Sequence, residues 1–116
     1  MEGKEKSEYQ VESIQSSKVY FNEILECLYE HYTLDKAEVI ATELEATGQS
    51  INDSPDRGTP EKRLMHRPQN YKFILYRRTS RADIKIIYYI DQSSKTVYVT
   101  DFFPTEKDDT QISKRS

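Results

Sequence analysis

In residues 84–91, Ile84-Lys85-Ile86-Ile87-Tyr88-Tyr89-Ile90-Asp91, almost every side chain is β-branched or aromatic, the composition of a central β-strand. A sheet must be built around it, and its neighbours in sequence supply the partners. Gln92-Ser93-Ser94-Lys95 reads as a tight turn into a strand over residues 96–103, ended by Pro104. On the N-terminal side, residues 71–78 alternate Tyr71, Phe73 and Leu75 with Lys72, Ile74, Tyr76 and Arg78, which predicts another strand, with a turn over residues 79–83.

The N-terminal half has a different period. Residues 9–14 are short and partly alternating and read as a first strand. Ser16 or Ser17 then caps a helix whose apolar stripe is Phe21, Ile24, Leu25, Leu28 and Tyr32. Thr33 caps a second helix with Ala37, Ile40, Ala41, Leu44 and Gly48 on one face, fading by residues 50–53. A Pro- and Gly-containing loop follows over residues 54–60, and residues 61–65 read as a short extra strand. The order β-α-α-β-β-β, with helices and hairpins segregated, predicts an α+β fold. Its helical hairpin packs on one face of a largely antiparallel sheet and leaves the other face open. A chain of 116 residues makes one domain. We expect it over residues 8–104, between a disordered N-terminus at 1–7 and a polar tail at 105–116.

Composition narrows the function classes. Nine Tyr and four Phe argue against disorder, although the mean hydropathy is −0.86 and 32% of residues are charged. The longest apolar run, Ile86 to Ile90, is five residues, too short for a membrane span. The polar N-terminus predicts no signal peptide, and the single Cys27 excludes an intrachain disulfide, so a cytoplasmic protein is expected. His31 and His66 are too few and too far apart for a zinc site, so no metal and no cofactor are expected. Charge is distributed unevenly. Residues 1–55 hold 4 Lys/Arg against 12 Asp/Glu, whereas residues 56–85 hold nine basic residues against three acidic ones. Such a segment predicts either a localised anion-facing surface or ordinary solvated strands and loops.

The chain resembles the RelE/ParE superfamily, the toxins of type II toxin–antitoxin (plasmid stabilisation) systems. The resemblance is carried by Ser16-Ser17 before Phe21, Ile24, Leu25 and Leu28, then by Ala37 and Ile40. It continues with Pro55-x-Arg57-Gly58, Tyr71-Lys72-Phe73, residues 84–90, and Thr96-Val97-Tyr98-Val99. It spans roughly residues 8–110 and rests on order and lengths more than on any one motif. It implies a growth-inhibiting toxin whose sheet face and adjoining loops engage a target, DNA gyrase or the ribosome with its mRNA, and which a cognate antitoxin covers. The antitoxin's acidic side chains are expected to complement the basic segment. An inactive relative serving as an interaction module is the third reading.

If the chain is an enzyme, the resemblance implies a metal-independent mRNA endoribonuclease, which needs cations to offset charge on the scissile phosphate. With the helices over Phe73 and Leu75, alternation places Lys72, Tyr76 and Arg78 on the open face, where Lys85 and Tyr89 join them. Lys72, Arg78, Lys85 and Tyr89 are then the catalytic candidates. Lys62, Arg63, Arg67, Tyr76, Arg77 and Arg81 are candidates for gripping a nucleic-acid backbone or another target. His66 is the only general acid–base candidate by type and reads as an ordinary loop histidine; His31 and Cys27 read as structural. RNase members place a Tyr or His near the end of the last strand. Here that end is Asp101-Phe102-Phe103-Pro104, with no Tyr or His after Tyr98, which favours the gyrase-binding or an uncharacterised branch.

Overall fold

A computed structural model describes residues 8–78 and 83–115. Strand β1 (Gln10–Ser13) leads into helices α1 (Gln15–His31) and α2 (Leu34–Gln49); a two-residue β2 (Thr59–Pro60) and strands β3 (Lys72–Arg77), β4 (Asp83–Asp91) and β5 (Thr96–Pro104) follow. The chain closes with a single helical turn, α3 (Ile112–Arg115). The five strands form one sheet in the order β1-β5-β4-β3-β2. All neighbours are antiparallel except β1, which runs parallel to β5 with Val11 opposite Val97. The α+β class and the central place of β4 agree with the sequence.

The helices form for the reasons their sequences give. Thr33 Oγ1 accepts from the Lys36 amide at 3.2 Å, so α2 is capped as expected. The first helix differs: its N-cap is Ile14, with no side-chain cap. Ser17 sits inside the first turn, fully buried, and returns its hydroxyl to the Ile14 carbonyl at 2.8 Å. Ile24 and Leu28 of α1 and Ala37, Ile40 and Leu44 of α2 pack against Ile84, Ile86, Tyr88, Val97, Val99 and Phe102 of the sheet. Phe21 meets Phe102 edge-on, with ring centroids 5.0 Å apart.

Two features of the sheet decide which side chains reach which face. In β3, Ile74 stands opposite Ile86 and Tyr76 opposite Ile84, so Ile74 and Tyr76 join the helical side. Phe73, opposite Ile87, lies on the other face. This inverts the expected parity: the helices cover Ile74 and Tyr76, not Phe73 and Leu75. In β5 the register slips between Ile87 and Tyr88, because Ile87 faces Asp101 while Tyr88 faces Val99. Thr100 is the extra residue of a bulge, and its hydroxyl reaches the Ile87 carbonyl at 3.3 Å. The bulge lets Val99 and Phe102, an odd number of residues apart, share the helical side, and it turns Asp101 to the opposite face.

That opposite face is not open over its whole width. A second cluster of Leu64, Tyr71, Ile87, Phe103 and Ile112 covers its centre, with Phe73 and Tyr89 packed alongside. Residues 61–65 are therefore not a strand; they contain a 3-10 turn, Lys62–Leu64, that drops Leu64 onto the sheet. The polar tail also departs from expectation. Residues 105–115 fold back, through a 3-10 turn at Asp109–Gln111 and α3, and bury Ile112 completely. Residues 1–7, most of the expected turn over 79–83, and Arg81 lie outside the described residues.

Candidate functional site

The face opposite the helices carries two buried ion pairs, each joining a strand residue to the segments that roof it. Glu61, only 2% exposed, accepts from Lys85 Nζ at 3.0 Å through Oε1 and from the Arg63 amide at 3.1 Å through Oε2. Lys85 also stands over the Phe73 ring, 4.3 Å from its centroid. The second pair is bidentate: Arg115 Nη2 and Nε meet Asp101 Oδ1 and Oδ2 at 2.7 and 3.0 Å, and Asp101 is fully buried. The guanidinium of Arg115 is stacked 3.9 Å from the Tyr20 ring centroid and 5.1 Å from that of Phe103. Burial pushes the Asp101 carboxyl above its ordinary value, and the Arg115 bonds and charge offset part of that rise.

Other basic side chains of residues 56–85 are also engaged within the fold. Arg63 pairs with Asp109 at 2.8 Å, Arg77 with Asp83 at 3.1 Å and Arg78 with Glu106 at 2.9 Å. Arg67 donates to the Ser113 carbonyl at 2.7 Å and Arg57 to Ser50 Oγ at 2.9 Å. Lys62 is exposed in the roof. Three of these cations, Arg63, Arg78 and Lys85, are thus neutralised by acids distant in sequence.

The five residues expected to form one patch are split between the two faces. Lys85 and Tyr89 do share one face, as the strand period predicts. Lys72, opposite Tyr88, and Tyr76 belong to the helical side. Arg78 lies just past the end of β3, its side chain 14% exposed. The Tyr76 hydroxyl donates to Glu43 Oε1 of α2 at 2.8 Å, and burial with that carboxylate pushes its phenol up to about 12. Tyr89 is edge-on to Tyr71 at 5.3 Å and tilted against Tyr98 at 5.4 Å, giving a row of three tyrosines across the sheet beside the roof. Burial, with Tyr71, Tyr98 and Asp91, raises the Tyr89 phenol.

The chemistry open to this arrangement is limited. Lys85 is held by a carboxylate, which cancels its charge toward a phosphate, and the Tyr89 phenol is biased to stay protonated. His66 is exposed, and His31 Nδ1 lies 2.9 Å from the Cys27 carbonyl on the outer side of α1. Among the described residues no group of three His, Cys, Asp or Glu is placed to hold a metal ion, and no helix is long and apolar enough to cross a membrane.

The residues missed from sequence are Glu61, Asp101, Ile112 and Arg115. A signal existed for one of them: Asp101 interrupts an apolar strand between Val99 and Phe102, and a carboxylate there needs a partner. Comparison with known proteins gives no match, either to a protein-family model or to a curated sequence.

Proposed function

We propose that this chain is the toxin-type member of a two-protein growth-control module of RelE/ParE kind, working in the cytoplasm by occupying its target rather than by cutting RNA. DNA gyrase is the favoured target, because the chain departs from the RNase pattern in having no Tyr or His after Tyr98. The observation that carries the choice of binding over cleavage is the Lys85–Glu61 pair, with Glu61 at 2% exposure. A cation committed to a buried carboxylate is a poor stabiliser of a developing phosphate charge. The helical hairpin on one sheet face accords with the layout that the resemblance implies.

A binding role also has surface to work with. Leu34 and Val39 of α2 are 61% and 55% exposed and are flanked by Asp35, Glu38 and Glu43. With the basic segment largely satisfied from within, an antitoxin that brings cationic and apolar side chains fits the helical hairpin better than an acidic one.

The test is induced expression with and without the adjacent open reading frame, followed by two assays on purified protein. Growth arrest relieved by co-expression, loss of gyrase supercoiling and intact mRNA in cell-free translation are the expected results. New mRNA ends at A-site codons would overturn the binding mechanism in favour of endonuclease action. Unaffected growth would overturn the toxin reading and leave an interaction module.

A further inference from the structure

Neither the backbone nor the packing requires a glycine at position 48. Gly48 lies in the last turn of α2 with a negative φ, and a Cβ placed there would meet only the Phe102 ring, at 3.8 Å. Alanine would favour the helix at this position. What the missing methyl helps leave open is a cavity of about 370 Å³ between the start of α1, the end of α2 and the sheet, floored by Phe21, Val99 and Phe102. Lys18 of α1 and Glu45 of α2 stand on its rim. Neither side chain is ion-paired or hydrogen-bonded to another described residue, and neither has an opposite charge three or four positions away on its own helix. Lys18 belongs to the first turn of α1, where the helix dipole disfavours a cation, so the helix itself gives no reason for it.

We propose that this cavity binds a free α-amino acid with a large apolar side chain. The side chain lies on Phe21, Val99 and Phe102, the carboxylate meets Lys18 and the ammonium meets Glu45. One cation and one anion on the rim exert no net pull on a simple anion or a simple cation, because either ligand gains one partner and is repelled by the other. A zwitterion satisfies both. The floor then selects among zwitterions, since burying an apolar side chain against three apolar ones adds what glycine cannot supply. The volume sits at the small end of the range for ligand cavities, about 300–1,000 Å³, which suits a single amino acid better than a nucleotide. The site lies on the helical side of the sheet, away from Lys85, and does not rest on the toxin reading.

The experiment titrates the ¹⁵N-labelled full chain with L-phenylalanine and follows the backbone amide resonances of Phe21, Gly48 and Val99. A saturable shift at these positions is expected. Binding should be at least tenfold weaker for 3-phenylpropanoate, which lacks the ammonium, for 2-phenylethylamine, which lacks the carboxylate, and for glycine, which lacks the side chain. Gly48→Ala puts a methyl into the cavity wall and is expected to raise Tm while weakening L-phenylalanine at least fivefold; a glycine without this role would change Tm alone. Lys18→Gln should erase the preference for L-phenylalanine over 2-phenylethylamine. The proposal is overturned if L-phenylalanine gives no saturable shift at the three positions, or if any of the three analogues matches it. It is equally overturned if Gly48→Ala binds L-phenylalanine unchanged or if Lys18→Gln keeps the preference.

Discussion

Replacing Arg115 by Met keeps an unbranched stem over Tyr20 and Phe103 but leaves Asp101, fully buried, without its cation. Two routes give the cost. Breaking one partner out of a buried pair typically destabilises a protein by about 3–5 kcal/mol. Independently, the chain can escape an unpaired buried charge by protonating it. Holding a carboxyl of ordinary value 3.8 in its neutral form at pH 7 costs at most about 4 kcal/mol, at about 1.36 kcal/mol per pH unit. The routes agree, and the second also fixes the pH dependence. In the folded variant Asp101 is protonated, whereas in its unfolded chain it is ionised above 3.8, so unfolding releases a proton and stability falls as pH rises. The difference between native protein and Arg115→Met should therefore shrink from roughly 4 kcal/mol at pH 7 to under about 2 kcal/mol at pH 5. Urea unfolding followed by circular dichroism at the two pH values measures it. An equal difference at both would show that Arg115 stabilises the fold by packing alone and would refute the electrostatic argument.

Lys85→Ala leaves Glu61 buried without its ammonium partner, so it should lower stability by about 3 kcal/mol in chemical unfolding, while Lys85→Arg loses less. Any loss of toxicity in Lys85→Ala must then be compared with its folded fraction. The Tyr88 hydroxyl donates to the buried Pro55 carbonyl at 2.6 Å, and Tyr88→Phe should cost about 1–2 kcal/mol. A Cβ on Gly58 would run into that same hydroxyl and stand 3.0 Å from Lys72 Cβ, so Gly58→Ala should cost about 1–3 kcal/mol. Because the two changes share one contact, the double variant should be clearly less destabilised than their sum; strict additivity would remove the clash as the cause. Tyr76, pushed up to about 12 by burial and Glu43, should stay protonated past the ordinary value of 10. Its contribution to stability is complete below pH 10 and is lost as pH climbs through about 12. Near-ultraviolet titration checks this: the absorbance difference between the native protein and Tyr76→Phe should develop near pH 12, and a difference already complete at pH 10 would sink it.

The helices, β4 and β5 were legible because each shows one period clearly, Ile24 and Leu28 at helical spacing and an unbroken apolar run in β4. Strand β3 was legible as a strand but not in its facing. Phe73, Ile74, Leu75 and Tyr76 are apolar at both parities, so alternation alone cannot say which pair the helices cover. Only the pairing of Ile74 with Ile86 and Tyr76 with Ile84 decides it, and that is a fact about another strand. The roof was illegible for a related reason: Leu64 has only Met65 beside it and Ile112 stands alone in a polar segment, too few apolar residues to show a period.

The misread surface follows from the same limit, now in charge. A local count finds residues 56–85 basic, yet Lys85 pairs with Glu61, Arg78 with Glu106 and Arg63 with Asp109, partners 24, 28 and 46 positions apart. Two of those acids, Glu106 and Asp109, belong to the segment that reads as a free polar tail. The basic run and this tail, whose three acids are matched by three bases, share one contact: Glu106 and Asp109 pair with Arg78 and Arg63, and Ile112 and the Arg115–Asp101 pair fix the tail over the sheet. A basic stretch in an acidic chain can be an internal clasp as readily as a binding surface. The two differ in a measurable way, since a clasp loosens with rising salt even when no ligand is present.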